Sequence, residues 1–255
     1  MTAILTLLLA LPASAEVREI QSMSEIVPAM STATLLVFDI DNTLVEPTGN
    51  AGSDQWYYYL EKAYRRDGLS QEAAEEKAAV TWAKALDIVK AKAVEALSPA
   101  LVRSQQERGV KVMALTARDP QNSLSTRRQL KTSGYDLVAR TVREETVYLT
   151  KAELNSTQDG LYDNGVLYVG DGPDKGKALI GFLKKIGYAA EHIVFVDDKP
   201  HHAKNVDAAL RAAGIKSTSF RYGAADAKVK AFNEVMAEAD SRAAAALLFH
   251  GRIAE

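Results

Sequence analysis

Two aspartates, Asp39 and Asp41, stand two residues apart at the end of the apolar run Leu35–Phe38. Side chains alternate along a strand, so both acids point the same way. Carboxylates on one face repel each other, and each raises the pKa of the other unless a cation intervenes. That pattern suits a metal or acid/base site. The plainer reading is a strand ending in an acidic turn, with Asn42 helping the chain to bend. A second acidic pair, Asp197-Asp198, closes the apolar run Ile193–Val196. Thr116 follows Lys111–Leu115, and Lys175 opens a helical pattern.

These residues need elements that bring them together. Leu35–Phe38 is apolar throughout, as expected of a strand covered on both faces. The segment 16–34 is polar and mixed and reads as a lead-in. After the loop residues 47–52, Ser53–Leu97 has helical character, with Ser53 and Ser70 as caps, Glu72 in a first turn and Gly68 as a break. This block carries Trp56, Tyr57, Tyr58, Tyr59, Tyr64 and Trp82. It reads as a cap over the strand ends, although most of these rings suit the insertion's own small core. Three consecutive tyrosines cannot share one helix face.

Ser98-Pro99 then predicts a helix start, with Ser98 as cap and Ala100–Arg108 as the helix. Strands are expected at Lys111–Leu115, Ile193–Val196 and about Ser217–Tyr222. Helices are expected at about Ser123–Thr132, Lys175–Ile186, Ala203–Ala213 and, as one closing helix, Ala225–Phe249. Residues 135–170 read as a mixed connector containing a hairpin at Asn164-Gly165. Alternating strands and helices argue an α/β fold, a three-layer Rossmann-like parallel sheet with a helical cap inserted after the first core strand. Carboxylates at the C-terminal ends of such strands lie where open α/β sheets bind ligands. The expected division is 16–46 and 98–255 for the core and 47–97 for the cap.

The chain has 255 residues, 47% of them hydrophobic, and a net charge of -2. That balance gives no field for steering to nucleic acid or an anionic membrane. With no cysteine, thiolate nucleophiles, disulfides and Cys-ligated zinc are excluded. Four histidines make a His-rich metal site a poor expectation. Ala3–Leu11 is apolar and too short to span a bilayer. Ala13-Ser14-Ala15 follows it, so residues 1–15 read as a signal peptide cut before Glu16, implying a periplasmic or extracellular protein. Met1-Thr2 lacks the usual basic residue. A buried helix, or a recorded start internal to a longer gene, are the other readings.

Taken together, the sequence resembles the haloacid dehalogenase superfamily. The phrases that carry the resemblance are FDIDNT at 38–43, ALTAR at 114–118, DKGKAL at 174–179 and VFVDDK at 194–199. They span the core from about Leu35 to Tyr222. LTARDP, NGVLYVG, KGKAL and VFVDDK look most like a group of exported bacterial members. The resemblance implies a phosphomonoester hydrolase working through an aspartyl-phosphate. Asp39, ionised at neutral pH without a general base, would be the nucleophile. Asp41 would protonate the leaving oxygen and then activate water, a role that calls for a raised pKa. Thr116 and Lys175 would hold the phosphoryl oxygens. Mg²⁺ would be held by Asp39, the carbonyl of Asp41 and an acid of the Asp197-Asp198 pair, with Asp198 as direct ligand and Asp197 behind it.

Thr43, Ala117 and Arg118 are the expected substrate-binding positions. Arg118 reads equally well as half of a surface salt bridge. Asp41 speaks against dehalogenation, since halide needs no protonation. P-type ion pumps share the nucleophile but need spanning helices. The expected partner is a small phosphate ester. Phosphotransfer to another acceptor, or a non-catalytic phosphate-binding module, are the alternatives. The stretch from Gly170 to Lys177 imitates a nucleotide loop, but its glycines are one residue too far apart and Ala178 stands where Ser or Thr belongs. His201-His202, after Asp198-Lys199-Pro200, is close enough to reach the mouth of the site, but solvated residues opening a helix are the preferred reading.

Overall fold

The computed structural model describes residues 17–250, apart from 171 and 173, with side chains as far as residue 242. The expected signal peptide at 1–15 therefore lies outside the described residues.

The chain enters the sheet at an edge. β1 (Arg18–Ile20) pairs in parallel with the last core strand, so the lead-in is part of the sheet. A 3-10 helix at Met23–Ala29 follows, opened by a capping box between Ser22 and Glu25. β2 (Thr34–Phe38) is buried at every position. Leu36 and Phe38 pack on one face of the sheet, Leu35 and Val37 on the other. This explains the uninterrupted apolar run, because each of these side chains contributes about 1.5–3 kcal/mol on burial. β3 (Val45–Pro47) leads out to the insertion. There α1 (Asp54–Arg66) and α2 (Gln71–Leu86) pack together, capped by Ser53 and Ser70 as expected. β4 (Ala91–Ala93) returns antiparallel to β3, making a two-stranded base for the insertion.

α3 (Ser98–Glu107) precedes β5 (Lys111–Thr116). Ser98 does not cap α3. Leu97 stands at that position, and the Ser98 hydroxyl donates to the Glu95 carbonyl and lies 2.6 Å from the Tyr135 hydroxyl. α4 (Ser123–Thr132) runs where expected. The connector is more ordered than the sequence implies: it holds β6 (Val147–Leu149), α5 (Lys151–Leu154), β7 (Gly160–Asp163) and β8 (Val166–Tyr168). Asn164 and Gly165, at φ 50° and 81°, turn β7 into β8. β8 also pairs in parallel with β5. Beyond it come α6 (Lys175–Lys185), β9 (His192–Asp197), α7 (Pro200–Ala212) and β10 (Ser217–Tyr222).

The expected closing helix is two helices, α8 (Asp226–Lys230) and α9 (Glu234–His250). Between them Phe232 packs against the apolar cluster of the insertion, and the Asn233 side chain accepts from the N–H groups of Val235 and Met236, starting α9 afresh. α9 lies on α1: Trp56 Nε1 donates to Ser241 and the Tyr59 hydroxyl to Glu238.

Among the described residues, eight strands form one sheet in the order β1-β10-β9-β2-β5-β8-β7-β6. The first six pair in parallel, and β7 and β6 are joined on by antiparallel pairing. The fold is thus α/β and Rossmann-like, with apolar clusters on both faces of the sheet. β2 sits between β9 and β5, so the C-terminal ends of three neighbouring parallel strands meet.

Candidate active site at the strand ends

Asp39 is the first residue beyond β2, and its N–H donates to the Val196 carbonyl, continuing the ladder to β9 (2.8 Å). Asp197 ends β9 and Thr116 ends β5. Lys175 is the first residue of α6, and Asp174 caps that helix by accepting from the N–H groups of Gly176 and Lys177. α6 approaches α7 so closely that a Cβ at Gly176 would lie 2.6 Å from Ala209 Cβ. The glycine therefore serves helix packing, which accounts for the false nucleotide-loop pattern around it.

This arrangement buries Lys175 between two acids. Its Nζ donates to Asp39 Oδ1 at 2.6 Å and to Asp197 Oδ2 at 2.8 Å, and the side chain is 2% exposed. Burial pulls the Lys175 pKa down, but Asp197 and Asp39 outweigh it and hold the ammonium well above its usual range. Asp197 Oδ1 accepts from the Lys199 N–H, and His202 Nδ1 lies 3.3 Å from Oδ2. Asp197 is accordingly held low, with Lys175 and His202 overcoming its burial.

Asp198 differs. Its Oδ1 is buried and has no hydrogen-bond partner, while Oδ2 accepts a long bond from Asn42 Nδ2 at 3.4 Å. Burial and then the charges of Asp39 and Asp197 push its carboxyl up to about 9. The Asp39 carboxyl is raised to about 7, mainly by burial and against the pull of Lys175. Carboxylate oxygens of Asp39, Asp197 and Asp198 all lie within 4.8 Å of one another. Two of these three acids share the bonds of one lysine, and the third, Asp198, has none to it. Hard oxygen donors, a surplus of negative charge and a buried oxygen without a partner fit a divalent cation.

Asp41 lies apart from this group. Arg118 grips it with a fork, Nε to Oδ2 at 2.8 Å and Nη2 to Oδ1 at 2.7 Å. Arg118 is buried, so the surface salt bridge expected as one alternative is not what forms. Its remaining nitrogen, Nη1, donates to Thr126 Oγ1 and Gln129 Oε1 on α4. Gln129 in turn donates to the Leu86 carbonyl at the end of α2, joined there by Arg128. The Trp82 ring covers the guanidinium, with Cζ 5.5 Å from the ring centroid. Burial alone would lower the Arg118 pKa, and Asp41 more than offsets it.

Of the other expected residues, Thr116 is buried and its Oγ1 accepts from the Arg118 N–H. Thr43 is fully buried, and its hydroxyl has no partner. Ala117 lines a cavity of about 100 Å³ beside Asp41. Sequence reasoning missed two participants, Asn42 and Lys199, and passed over a third, His202, in favour of a solvated reading. Asn42, in the left-handed region at φ 59°, aims its amide at Asp198. His202, read as solvated, is largely buried and faces Asp197. Lys199 pairs with Asp54 of α1 at 2.6 Å, joining the insertion to the core. Position beside the acidic pair was the available signal for His202 and Lys199. A larger cavity of about 740 Å³ lies between α3 and α4, next to Val102, Leu130 and Tyr135, and contains none of the clustered acids.

A family model described as a protein of unknown function, DUF2608, matches residues 16–248. The chain belongs to the DUF2608 family. The matched span takes in the whole sheet and both helices of the insertion. A Chlamydia pneumoniae protein that carries the provisional name of an outer membrane protein is 24% identical over 229 residues, covering 88% of this chain and 83% of the relative. A solved haloacid dehalogenase-like hydrolase from Streptococcus pneumoniae superposes with a TM-score of 0.45 at 15% identity, covering 78% of this chain and 92% of that one. Among the described residues of this DUF2608 member, no helix is long and apolar enough to cross a membrane.

Proposed function

We propose that this chain is a Mg²⁺-dependent phosphomonoester hydrolase of the haloacid dehalogenase type, acting on a small phosphorylated substrate. The observation that carries the reading is the buried set Asp39–Lys175–Asp197 at adjoining strand ends, with Thr116 beside it and Asp198 left with a buried oxygen that has no partner. Residues 47–97 are read as a cap over this site. Residues 1–15 are read as an export signal, which agrees with the name of the Chlamydia relative.

In this reading the Asp39 carboxylate attacks phosphorus, the bond from phosphorus to the leaving oxygen breaks, and an aspartyl-phosphate forms. Asp41 gives a proton to the leaving oxygen, a step in which the protonated carboxyl turns one oxygen out of the Arg118 fork. It then takes one from the water that attacks the acyl phosphate and releases inorganic phosphate. Arg118 fixes the direction in which Asp41 presents its carboxyl. Lys175 and the Thr116 hydroxyl hold the phosphoryl oxygens as charge develops. Asp39, Asp198 and the Asp41 carbonyl would hold Mg²⁺, with Asp197 orienting Lys175 behind them. When bound, the ion supplies the positive charge that lets two anions approach.

The test is hydrolysis of p-nitrophenyl phosphate in the presence of Mg²⁺. The expected result is turnover in the native chain and none in Asp39→Asn. Turnover retained in pure Asp39→Asn protein would sink the mechanism.

A further inference from the structure

The cavity of about 740 Å³ between α3 and α4 is separate from the strand-end site, since none of Asp39, Asp197 and Asp198 lines it. Well-packed interiors leave few voids larger than a water molecule. This volume falls instead in the range of small-molecule sites, about 300–1,000 Å³. Its apolar wall is chiefly aliphatic: Val102 from α3, Leu130 from α4, Val166 from β8, and Leu137 and Val138 from the segment beyond α4. Val138 is left exposed. The buried polar groups on this wall are already engaged. The Tyr135 hydroxyl donates to the Leu44 carbonyl, and Gln106 Nε2 donates to the Asp136 carbonyl. The charges around the cavity do not balance. Arg103, Arg127, Lys131 and Arg140 line it, against Glu107 and Asp136. Asp136 Oδ1 is occupied by the N–H groups of Val138 and Ala139. Among the described residues, Arg103, Arg127 and Lys131 form no ion pair.

We propose that this cavity is a second binding site, and that it takes an aliphatic carboxylate. The acyl chain lies against Val102, Leu130, Leu137 and Val166, and the carboxylate meets Arg127 and Lys131. These two cations stand four residues apart on α4 and so project from the same side of the helix. A guanidinium fork matches the two oxygens of a carboxylate, and the ammonium beside it adds charge. The excess of basic over acidic residues selects an anion, and the aliphatic wall selects an unbranched apolar body. A nucleotide or sugar phosphate would bring hydroxyls and ring nitrogens against a wall whose polar groups are already bonded, and burying them there is costly.

The experiment is isothermal titration calorimetry of the full chain with hexanoate, octanoate, decanoate and 1-octanol, in metal-free buffer and below the concentrations at which micelles form. The expected result is a single site whose Kd falls about fourfold per added methylene, the scale of burying one CH₂. Octanoate should bind about tenfold more tightly than 1-octanol, the scale of a charge-assisted hydrogen bond. An affinity that ignores chain length, or equal binding of octanoate and 1-octanol, would overturn the assignment. In Arg127→Glu/Lys131→Glu, at two exposed positions, octanoate should bind about tenfold or more weakly. Lys151→Glu/Lys216→Glu changes the net charge equally at exposed positions elsewhere and should leave binding unchanged. Equal losses in the two variants would refute the placement of the carboxylate. Asp39→Asn should bind octanoate as the native chain does, and a loss there would move the ligand to the strand ends and sink the second site. A second copy of the chain is the rival occupant. Self-association that Arg127→Glu/Lys131→Glu abolishes, with no uptake of octanoate, would decide for it and against the carboxylate. None of these readouts needs turnover, so this site and the hydrolase reading stand or fall separately.

Discussion

Two buried cations organise the strand ends, and they do so in opposite ways. Lys175 is shared: one ammonium serves Asp39 and Asp197, and Asp198 stands by without a bond to it. Arg118 is committed: its fork is filled by one acid, and its last nitrogen is satisfied by Thr126 and Gln129. The first group carries a surplus of negative charge. The second is balanced and complete. A residue with a compact, mobile charge suits the place where partners change, and a planar fork suits the place where geometry must be fixed. The acidic half is thus built to accept something positive, while the Arg118 half is built to hold a direction.

The largest expected effect comes from breaking the shared cation. Lys175→Met removes the positive charge between two buried carboxylates. Removing one partner of a buried pair typically costs about 3–5 kcal/mol. Urea denaturation of the metal-free variant should show a loss of that size, with most of it restored by millimolar Mg²⁺, because the ion enters the same acidic group. A variant as stable as the native chain, or one that Mg²⁺ does not rescue, would break the comparison.

Next in size is metal linkage. In the metal-free chain Asp198 is raised to about 9 and Asp39 to about 7, in both cases chiefly by burial. A carboxyl raised in the folded state contributes stability that is fully present below the ordinary value of 3.8. That contribution is lost as the pH rises through the folded values. The metal-free Tm should therefore fall as the pH climbs from about 4 to about 9. Mg²⁺ at a hundredfold excess over its Kd should restore about 2.7 kcal/mol, most visibly at the alkaline end. A Tm that rises with pH without metal, or that ignores Mg²⁺, would contradict the surplus of charge.

The two groups were not equally legible in the sequence. Asp39, Thr116 and Asp197 each end an apolar run, and Lys175 opens a helix. Local pattern alone put them at the correct ends of the correct elements. The partner of Arg118 could not be read that way. The setting of Arg118 depends on Trp82 from the insertion and on Gln129 from α4, itself bonded to the Leu86 carbonyl, contacts between elements far apart in the chain. β8 is three residues long, too short for a period to declare itself, and so looked like no more than a hairpin arm. The tail from Ala225 onward is rich in strong helix formers and hides its own break. Asn233 followed by Glu234 is a helix-start signal that local reading could have used. Lys199 and Asp54 meet only because the insertion folds back over the strand ends.

The smallest effect tests the committed cation. Arg118→Lys keeps the charge but cannot reproduce the fork. One oxygen of Asp41 loses its donor, and Thr126 and Gln129 lose the nitrogen they share. Unpaired buried groups cost about 1–3 kcal/mol, so the denaturation midpoint should drop by less than in Lys175→Met. Two further readouts separate positioning from mere support. Mg²⁺ should raise the stability of Arg118→Lys no more than it raises that of the native chain, since the acidic group on the other side is untouched. Hydrolysis should lose kcat with little change in KM, because a misdirected Asp41 harms proton transfer rather than binding of the phosphate. If Mg²⁺ rescues Arg118→Lys as it rescues Lys175→Met, the two halves form one electrostatic unit and the distinction between a shared and a committed cation falls.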